Sequence, residues 1–290
     1  MKPFWKAAAA AMLGVFGYAT LVEPNWIETV HIEIGAPRLP AAFDGYTIYQ
    51  ISDLHLQKIG RRERKVMSIL GSLPPADLVV LTGDMIHTRR GIDPLLTILR
   101  SIKSRSGVYA VLGNSEYKNG VRARELASRL HDDGVRVLLN QHVILTKGAD
   151  EIVLAGVEDP HTGVDDLELA LTGVPDDVFK LVLMHSPDAI ADAVVRGVDL
   201  VLSGHTHGGQ VNIPIIGAPI THSIMGMRMS SGYFQGLRLR TVVGVKPGRT
   251  QLYVSRGIGV SGFAIRFNCR PEFTAVTLRR GIPAFRQTQP

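Results

Sequence analysis

Two histidines one residue apart, His205 and His207, lie in the stretch Leu202-Ser-Gly-His-Thr-His-Gly-Gly-Gln210, directly after the apolar run from Val198 to Leu202. Imidazole nitrogens are common metal ligands. In an extended segment residues i and i+2 point the same way, so this spacing predicts two imidazoles aimed at one spot past a strand end. The glycine pair behind them lets backbone come close to whatever is held there. A lone His-x-His is commonly a chance surface pair, but four other apolar runs also stop at side chains with ligand chemistry. Ile51 is followed by Ser-Asp53-Leu-His55, Leu81 by Thr-Gly-Asp84, Leu112 by Gly-Asn114-Ser115-Glu116, and Met184 by His185. Singly, an Asp or Asn after Gly reads as a turn residue, and His185 as a core or surface histidine. Seven such residues at the ends of apolar runs argue against coincidence.

Carboxylate, amide and imidazole donors without thiolate suit two divalent cations such as Mn, Fe or Zn. Two cations about 3.5–4 Å apart can share a carboxylate, activate water and clamp an oxyanion. Two dications set against Asp53 and Asp84 leave net positive charge, which favours a phosphate group.

The elements that must position these residues are legible in the hydropathy pattern. Runs at Tyr46–Ile51, Leu78–Leu81, Val108–Leu112, Leu181–Met184 and Leu200–Leu202 read as buried strands of a mainly parallel sheet. Helical periodicity over Arg61–Leu73, Pro94–Ile102, Arg122–His131, Asp165–Leu171 and Pro187–Val195 separates them. Asp53, Asp84 and Asn114 lie about thirty residues apart, the length of one strand–helix–strand unit. Ligands of open α/β sheets bind beyond the carboxyl ends of the strands, so these residues are expected to converge. Trp26–Ile34 alternates like an edge strand, and Val135–Leu139, Val143–Leu145 and Ile152–Ala155 have connections short enough for antiparallel pairing. From Ile213 the chain, with its prolines, glycines and Met225, Met227 and Met229, reads as a long irregular loop. Leu252–Ser255 and Phe273–Leu278 close the sheets, and the class is α/β with a large strand content.

Residues 1–24 form a separate unit. Lys2 and Lys6 precede an uncharged run from Ala7 to Val22 that, with Phe4 and Trp5, just reaches the roughly 20 residues a bilayer requires. It reads as a signal segment or an uncleaved anchor, and the lack of a clean small-x-small site before Glu23-Pro24 favours the anchor. Lysines before the run and Glu23 and Glu28 after it place residues 25–290 outside the cytoplasm, on a cell membrane with a single anchor. The remaining 25–290 suits one globular domain. The single cysteine, Cys269, excludes an internal disulfide framework and a multi-Cys zinc site. The net charge of +6 is scattered in short clusters; it reads as solvated surface or as attraction to anionic lipid or substrate. No aromatic-interleaved basic stripe points to nucleic acid. Gly257-Ile-Gly-Val-Ser-Gly262 matches a dinucleotide fingerprint, but no helical pattern follows and no acidic residue lies about twenty positions on.

Asp-x-His, Gly-Asp, Gly-Asn-x-Glu, a solitary His and Gly-His-x-His, in that order from Asp53 to His207, resemble the calcineurin-like metallophosphoesterases. The stretches Gly204–Gln210, Ser255–Gly259 and Arg266–Glu272 look like their membrane-associated bacterial branch. The resemblance covers about Glu23 to Leu278. It implies a two-sheet β-sandwich flanked by helices and two divalent metal ions, with Asp53, His55 and His207 on one, Asn114, His185 and His205 on the other, and Asp84 bridging. Asp84, Asn114, Ser115 and His205 would carry the catalytic roles, with in-line attack of activated water on phosphorus.

One departure bears on the chemistry: the family usually has Gly-Asn-His-Asp/Glu, and the His is here Ser115. A serine hydroxyl donates a hydrogen bond but is a poor general acid. Leaving groups that need little protonation would suffer least. The expected activity is therefore hydrolysis of a phosphodiester or phosphomonoester, in a small molecule or lipid, at or near the membrane. The alternative is a lipid-linked nucleotide pyrophosphate such as UDP-2,3-diacylglucosamine of lipid A biosynthesis, which would require the cytoplasmic face. The reading from another class is a non-catalytic phosphate-binding protein with a degenerate site. Ser115 is its only support, against a full ligand set. Arg256, Arg266 and Arg270 are candidates to bind the substrate phosphate through bidentate forks, or else pair with local carboxylates. His87, His161 and His222 fall in loop regions and are candidates to line the cleft.

Overall fold

The computed structural model describes residues 3–118, 121–221, 223–282 and 284–288. Among the described residues thirteen strands build two sheets. They are β1 (Glu28–Ala36), β2 (Thr47–Ile51), β3 (Leu78–Thr82), β4 (Val108–Val111), β5 (Val135–Val137), β6 (Gln141–Lys147), β7 (Asp150–Gly156), β8 (Lys180–Leu183), β9 (Leu200–Ser203), β10 (Gly232–Phe234), β11 (Gln251–Val254), β12 (Glu272–Arg280) and β13 (Phe285–Thr288). The helices are α1 (Pro3–Gly17), α2 (Arg61–Ser72), α3 (Ile92–Leu99), α4 (Asn114–Lys118), α5 (Ala123–Asp132), α6 (Leu167–Ala170), α7 (Ile190–Val195) and α8 (Gly236–Val243). One sheet runs β13-β1-β12-β2-β3-β4-β5, the other β10-β11-β9-β8-β7-β6.

Alternation along each strand sorts the apolar side chains into layers. Leu78 and Val80 of β3 and Leu200 and Leu202 of β9 fill the space between the sheets, with Ile48, Leu181 and Leu183. Val79 and Leu81 face outward onto α2, α3 and α5 through Val66, Leu95 and Leu126. Val201 packs on the far side against Ile190 of α7 and Leu239 of α8. This is the expected two-sheet sandwich with helices on both outer faces. Strands β2, β3 and β4 are mutually parallel in one sheet, and β8 and β9 in the other, so their carboxyl ends share one edge of the sandwich. Beneath that edge Gln50, fully buried, donates to Thr82 Oγ1 at 3.1 Å and to the Ser203 carbonyl at 2.9 Å, and so ties the two sheets together.

Three local expectations are corrected. β1 is not an edge strand, because β13 pairs along its free side. β6 and β7 are antiparallel as expected, but β5 joins β4 in the other sheet, since Leu138 turns inward and carries the chain across the core. The stretch after Ile213 is not irregular throughout: it contains β10 and α8, whose Leu239 anchors it to the outer layer.

Phe4–Asn25 is one apolar helical stretch of 22 residues, long enough to cross a membrane and exposed except at its foot, where Ala19, Glu23 and Pro24 are buried. Its last turns are π-helical over Tyr18–Val22, followed by a 3-10 turn. In that winding the Ala19 carbonyl would pair with residue 24, but Pro24 has no N–H. The freed carbonyl instead accepts from Arg266 N at 2.9 Å, and the buried Glu23 carboxylate accepts from Asn268 N at 3.0 Å. The foot of the helix is thereby stitched to the loop between β11 and β12.

Candidate metal centre

Each predicted ligand lies just past a strand end on the shared edge: Asp53 and His55 after β2, Asp84 after β3, Asn114 at the start of α4 after β4, His185 after β8, and His205 and His207 after β9. Their backbone departs from the extended form assumed from the spacing. Asp53, His55, Asp84, His205 and His207 all hold positive φ, from 46° to 70°. Such a conformation costs a non-glycine residue on the order of 1–3 kcal/mol and persists where its surroundings over-determine it. The consequence corrects the parity argument: His205 and His207 do not aim at one spot. His207 joins Asp53 and His55, whereas His205 joins Asp84 and His185.

Within the first group, His55 Nε2 and His207 Nε2 face each other at 3.0 Å, and Asp53 Oδ1 lies 3.5 Å from His207 Nε2. In the second, His205 Nδ1 lies 3.1 Å from His185 Nε2, itself 3.3 Å from Asp84 Oδ1. The other Asp84 oxygen, Oδ2, lies 3.4 Å from His55 Nε2. One carboxylate thus turns an oxygen to each group. Donor atoms brought this close favour positive charge among them, a metal ion or, in its absence, a proton on His185. In each group the three donor atoms lie within 4.8 Å of one another. Asn114 Oδ1 is buried with no hydrogen-bond partner, an orphan that a cation would satisfy. The residues present fit two divalent ions.

Fixed backbone holds the ligands in place. His185 Nδ1 donates to the Thr82 carbonyl at 2.8 Å, which leaves Nε2 to the site. Ser115 N donates to Asp84 Oδ1 at 2.8 Å, and His205 N to both Asp53 oxygens at 3.1 and 3.2 Å. A Cβ at Gly113 would collide with Asp84 Oδ1, so only glycine fits between Asp84 and His185.

The charges divide by environment. Burial holds the His55 imidazole down to about 4 and His207 well below its usual range, so both are neutral donors. At His185 burial also opposes charge, but the Asp84 carboxylate overrides it and raises the imidazole well above its usual range. Asp84 is correspondingly lowered well below the carboxylate range by His185, against the opposing effect of burial. Burial pushes Asp53 up to about 6.

Asp84, Asn114, His205 and His207 line a cavity of about 260 Å³ together with Lys118, His161 and Ser261. Ser115, buried beside Asn114, has its Oγ 3.4 Å from His55 Nδ1. None of the three arginines lines that cavity. Arg266 is fully buried and donates to the carbonyls of Arg256, Gly257, Gly259 and Cys269, with Nη2 also 3.4 Å from His207 Nδ1, so it organises the loop and backs His207 rather than facing the cleft. Arg256 pairs with Glu272 and Glu28, and Arg270 lies 3.8 Å over the Trp26 ring. His161 stacks on His205 with ring centroids 4.6 Å apart, and His87 meets His55 at 6.1 Å; His222 lies outside the described residues.

Two residues at the centre were given no role by sequence reasoning. Glu116, fully buried, accepts from the N–H groups of Asp84, Ile86 and Gly113 at 3.1, 3.0 and 2.7 Å, so one carboxylate clamps two ligand-bearing turns. Its place in Gly-Asn-x-Glu was the available signal. Lys118 offered none, because a lysine ending a short helix reads as ordinary surface.

A two-sheet α/β sandwich with such a donor set on one edge defines a dinuclear-metal phosphoesterase. The profile of the family "Calcineurin-like phosphoesterase" matches residues 46–209, and the chain belongs to that family as a metal-dependent phosphoric ester hydrolase. It is 32% identical over 288 residues to the uncharacterized metallophosphoesterase YkuE of Bacillus subtilis (strain 168), covering 96% of each chain. It is 28% identical over 276 residues to the phosphodiesterase YaeI of Escherichia coli (strain K12), covering 94% of this chain and 96% of that one. It is 26% identical over 321 residues to the UDP-2,3-diacylglucosamine pyrophosphatase LpxG of Chlamydia muridarum (strain MoPn / Nigg), covering 92% of this chain and 93% of that one.

Proposed function

We propose that the chain hydrolyses a phosphodiester or phosphomonoester at the membrane surface, with residues 1–24 as its anchor and 25–290 as its catalytic domain on the extracytoplasmic side. The observation that carries the reaction is Asp84, whose two carboxylate oxygens turn to separate ligand groups. Asp53, His55 and His207 would hold one divalent ion (Mn, Fe or Zn), and Asn114, His185 and His205 the other, with Asp84 between. Bound there, the pair supplies positive charge for the phosphate and lowers the pKa of water.

The chain's own residues do the rest. Thr82 and the backbone N–H of Ser115 hold His185 and Asp84 in register before substrate arrives, so little reorganisation is left for the reaction. Lys118 and His161 line the cleft, where an ammonium and an imidazole would meet the phosphate oxygens. Ser115 donates a hydrogen bond but is a weak acid, so esters with good leaving groups turn over fastest. A lipid-linked nucleotide pyrophosphate is the second reading; the likeness to LpxG and an apolar groove beside the cleft favour it.

The test is hydrolysis by the full chain in detergent, reconstituted with Mn²⁺, of bis-(p-nitrophenyl) phosphate, p-nitrophenyl phosphate and a UDP-linked lipid, with His207→Ala as control. Turnover of the generic esters supports a membrane phosphoesterase. Turnover of the UDP-lipid alone supports the second reading and the cytoplasmic face. No turnover with two metals bound refutes both and favours a phosphate-binding protein.

A further inference from the structure

The loop that lines the metal cleft also climbs alongside the foot of the apolar helix. Arg266 N is bonded to the Ala19 carbonyl. Ala19 lies six residues before Asn25, where the helical stretch ends, which is about 9 Å along the axis. A 22-residue helix is about 33 Å long, close to the roughly 30 Å of a hydrocarbon core. The backbone at Arg266 therefore stands level with the last turns of the spanning segment, not below them. Phe263, three residues away, is within about 10 Å of that level. Trp26, with the Arg270 guanidinium over its ring, sits at the helix end, where amphipathic rings favour the lipid–water boundary.

The loop after Asn212, which Asn212 N ties to the Phe267 carbonyl beside Arg266 at 2.8 Å, is apolar and open. Phe263 is 84% exposed, Ile220 63%, Ile216 62% and Met227 55%, and Ile215 projects fully into solvent. Ile220 and Phe263 both line a groove of about 330 Å³. Gln210 fixes the two loops together, its side chain donating to the Ser261 carbonyl and accepting from Ser261 N, both at 2.8 Å. Ser261 lines this groove and the metal cavity alike. An exposed apolar patch of this kind marks an interaction site.

We propose that this rim of Ile215, Ile216, Ile220, Met227 and Phe263 beds into the bilayer that α1 crosses, so that the metal cleft opens onto the headgroup layer and takes phosphoesters of membrane lipids. The inference rests on the reading of α1 as a membrane anchor and of the centre as a hydrolase. The occupant is a bilayer rather than a protein because the loop that carries Phe263 is bonded to the spanning helix, Arg266 N to the Ala19 carbonyl. The exposed Lys58, which lines a pocket with Gly262, and Arg228, next to Met227, also suit anionic headgroups. Burying Ile and Phe side chains in the acyl boundary removes from water the very groups the fold leaves exposed.

The test uses the full chain in nanodiscs of phosphatidylethanolamine and phosphatidylglycerol, with Ile216→Cys or Phe263→Cys carrying an NBD fluorophore; Cys269 is buried. Val195→Cys, exposed near the amino end of β9 and away from the metal edge, is the reference. The expected result is blue-shifted emission at 216 and 263, quenched by shallow doxyl lipids, with neither effect at 195. Emission at 216 and 263 matching that at 195 overturns the docking, and so does a chain that fails to stay with the discs. Turnover of bis-(p-nitrophenyl) phosphate is read on the same samples with Mn²⁺. Turnover with water-exposed labels refutes the docking alone. Bedded labels without turnover support the docking and refute the hydrolase reading.

Discussion

His205 and His207 stand one residue apart and serve different partners: His205 Nδ1 is 3.1 Å from His185 Nε2, while His207 Nε2 is 3.0 Å from His55 Nε2. Positive φ at both residues swings the two imidazoles apart, and Asp84 spans the gap with one oxygen toward each side.

Removing that span is the most direct perturbation. Asp84→Ala is expected to lower kcat on an activated phosphodiester by about a thousandfold or more, and to reduce metal content in the same preparation. Mass spectrometric metal analysis beside the assay checks both. Wild-type activity in this variant would sink the two-metal reading.

Ser115 is expected to set leaving-group preference. Ser115→His should raise turnover of alkyl phosphoesters by about tenfold or more while leaving p-nitrophenyl esters within a few-fold, since general acid catalysis contributes about 10²–10⁴ where protonation is needed. A parallel rise for both classes, or no change, means another group supplies the proton.

Glu116 should prove a positioning residue. Glu116→Gln turns one acceptor oxygen into a donor facing backbone N–H groups, which is expected to cost about 1–3 kcal/mol of stability. It is also expected to weaken metal binding, because the clamped turn carries Asp84. Calorimetric unfolding and a metal titration read the two effects. A variant with full stability and metal affinity would remove the clamp from the account.

Metal affinity should rise with pH. The Asp84 carboxylate keeps His185 protonated above its usual range in the metal-free protein, so uptake must expel that proton. Affinity then increases by at least about tenfold per pH unit up to the His185 pKa and levels off above it. His55 and His207 are already neutral and add no slope, whereas Asp53, pushed up to about 6, steepens the dependence below that value. Indicator competition at several pH values measures the slope, and a flat profile would contradict the assignment.

The chain order alone carried the class of the molecule and most of its centre. Apolar runs of strand length that stop at Asp53, Asp84, Asn114, His185 and His205 are a local signal, because a buried parallel strand must end where its ligand-bearing turn begins. Tertiary structure decided what depends on distant partners. Which histidine meets which carboxylate follows from left-handed turns held by cross-sheet bonds, not from spacing. The arginines show the same limit: Arg266 reads in sequence as a phosphate fork, yet packing encloses it, and a guanidinium shut away from water binds the nearest carbonyls instead. The link between the helix foot and the site loop arises because Pro24 lacks an N–H and leaves the Ala19 carbonyl for Arg266. Pro24 advertises the missing donor, but only the fold supplies the one that replaces it, from more than two hundred residues away.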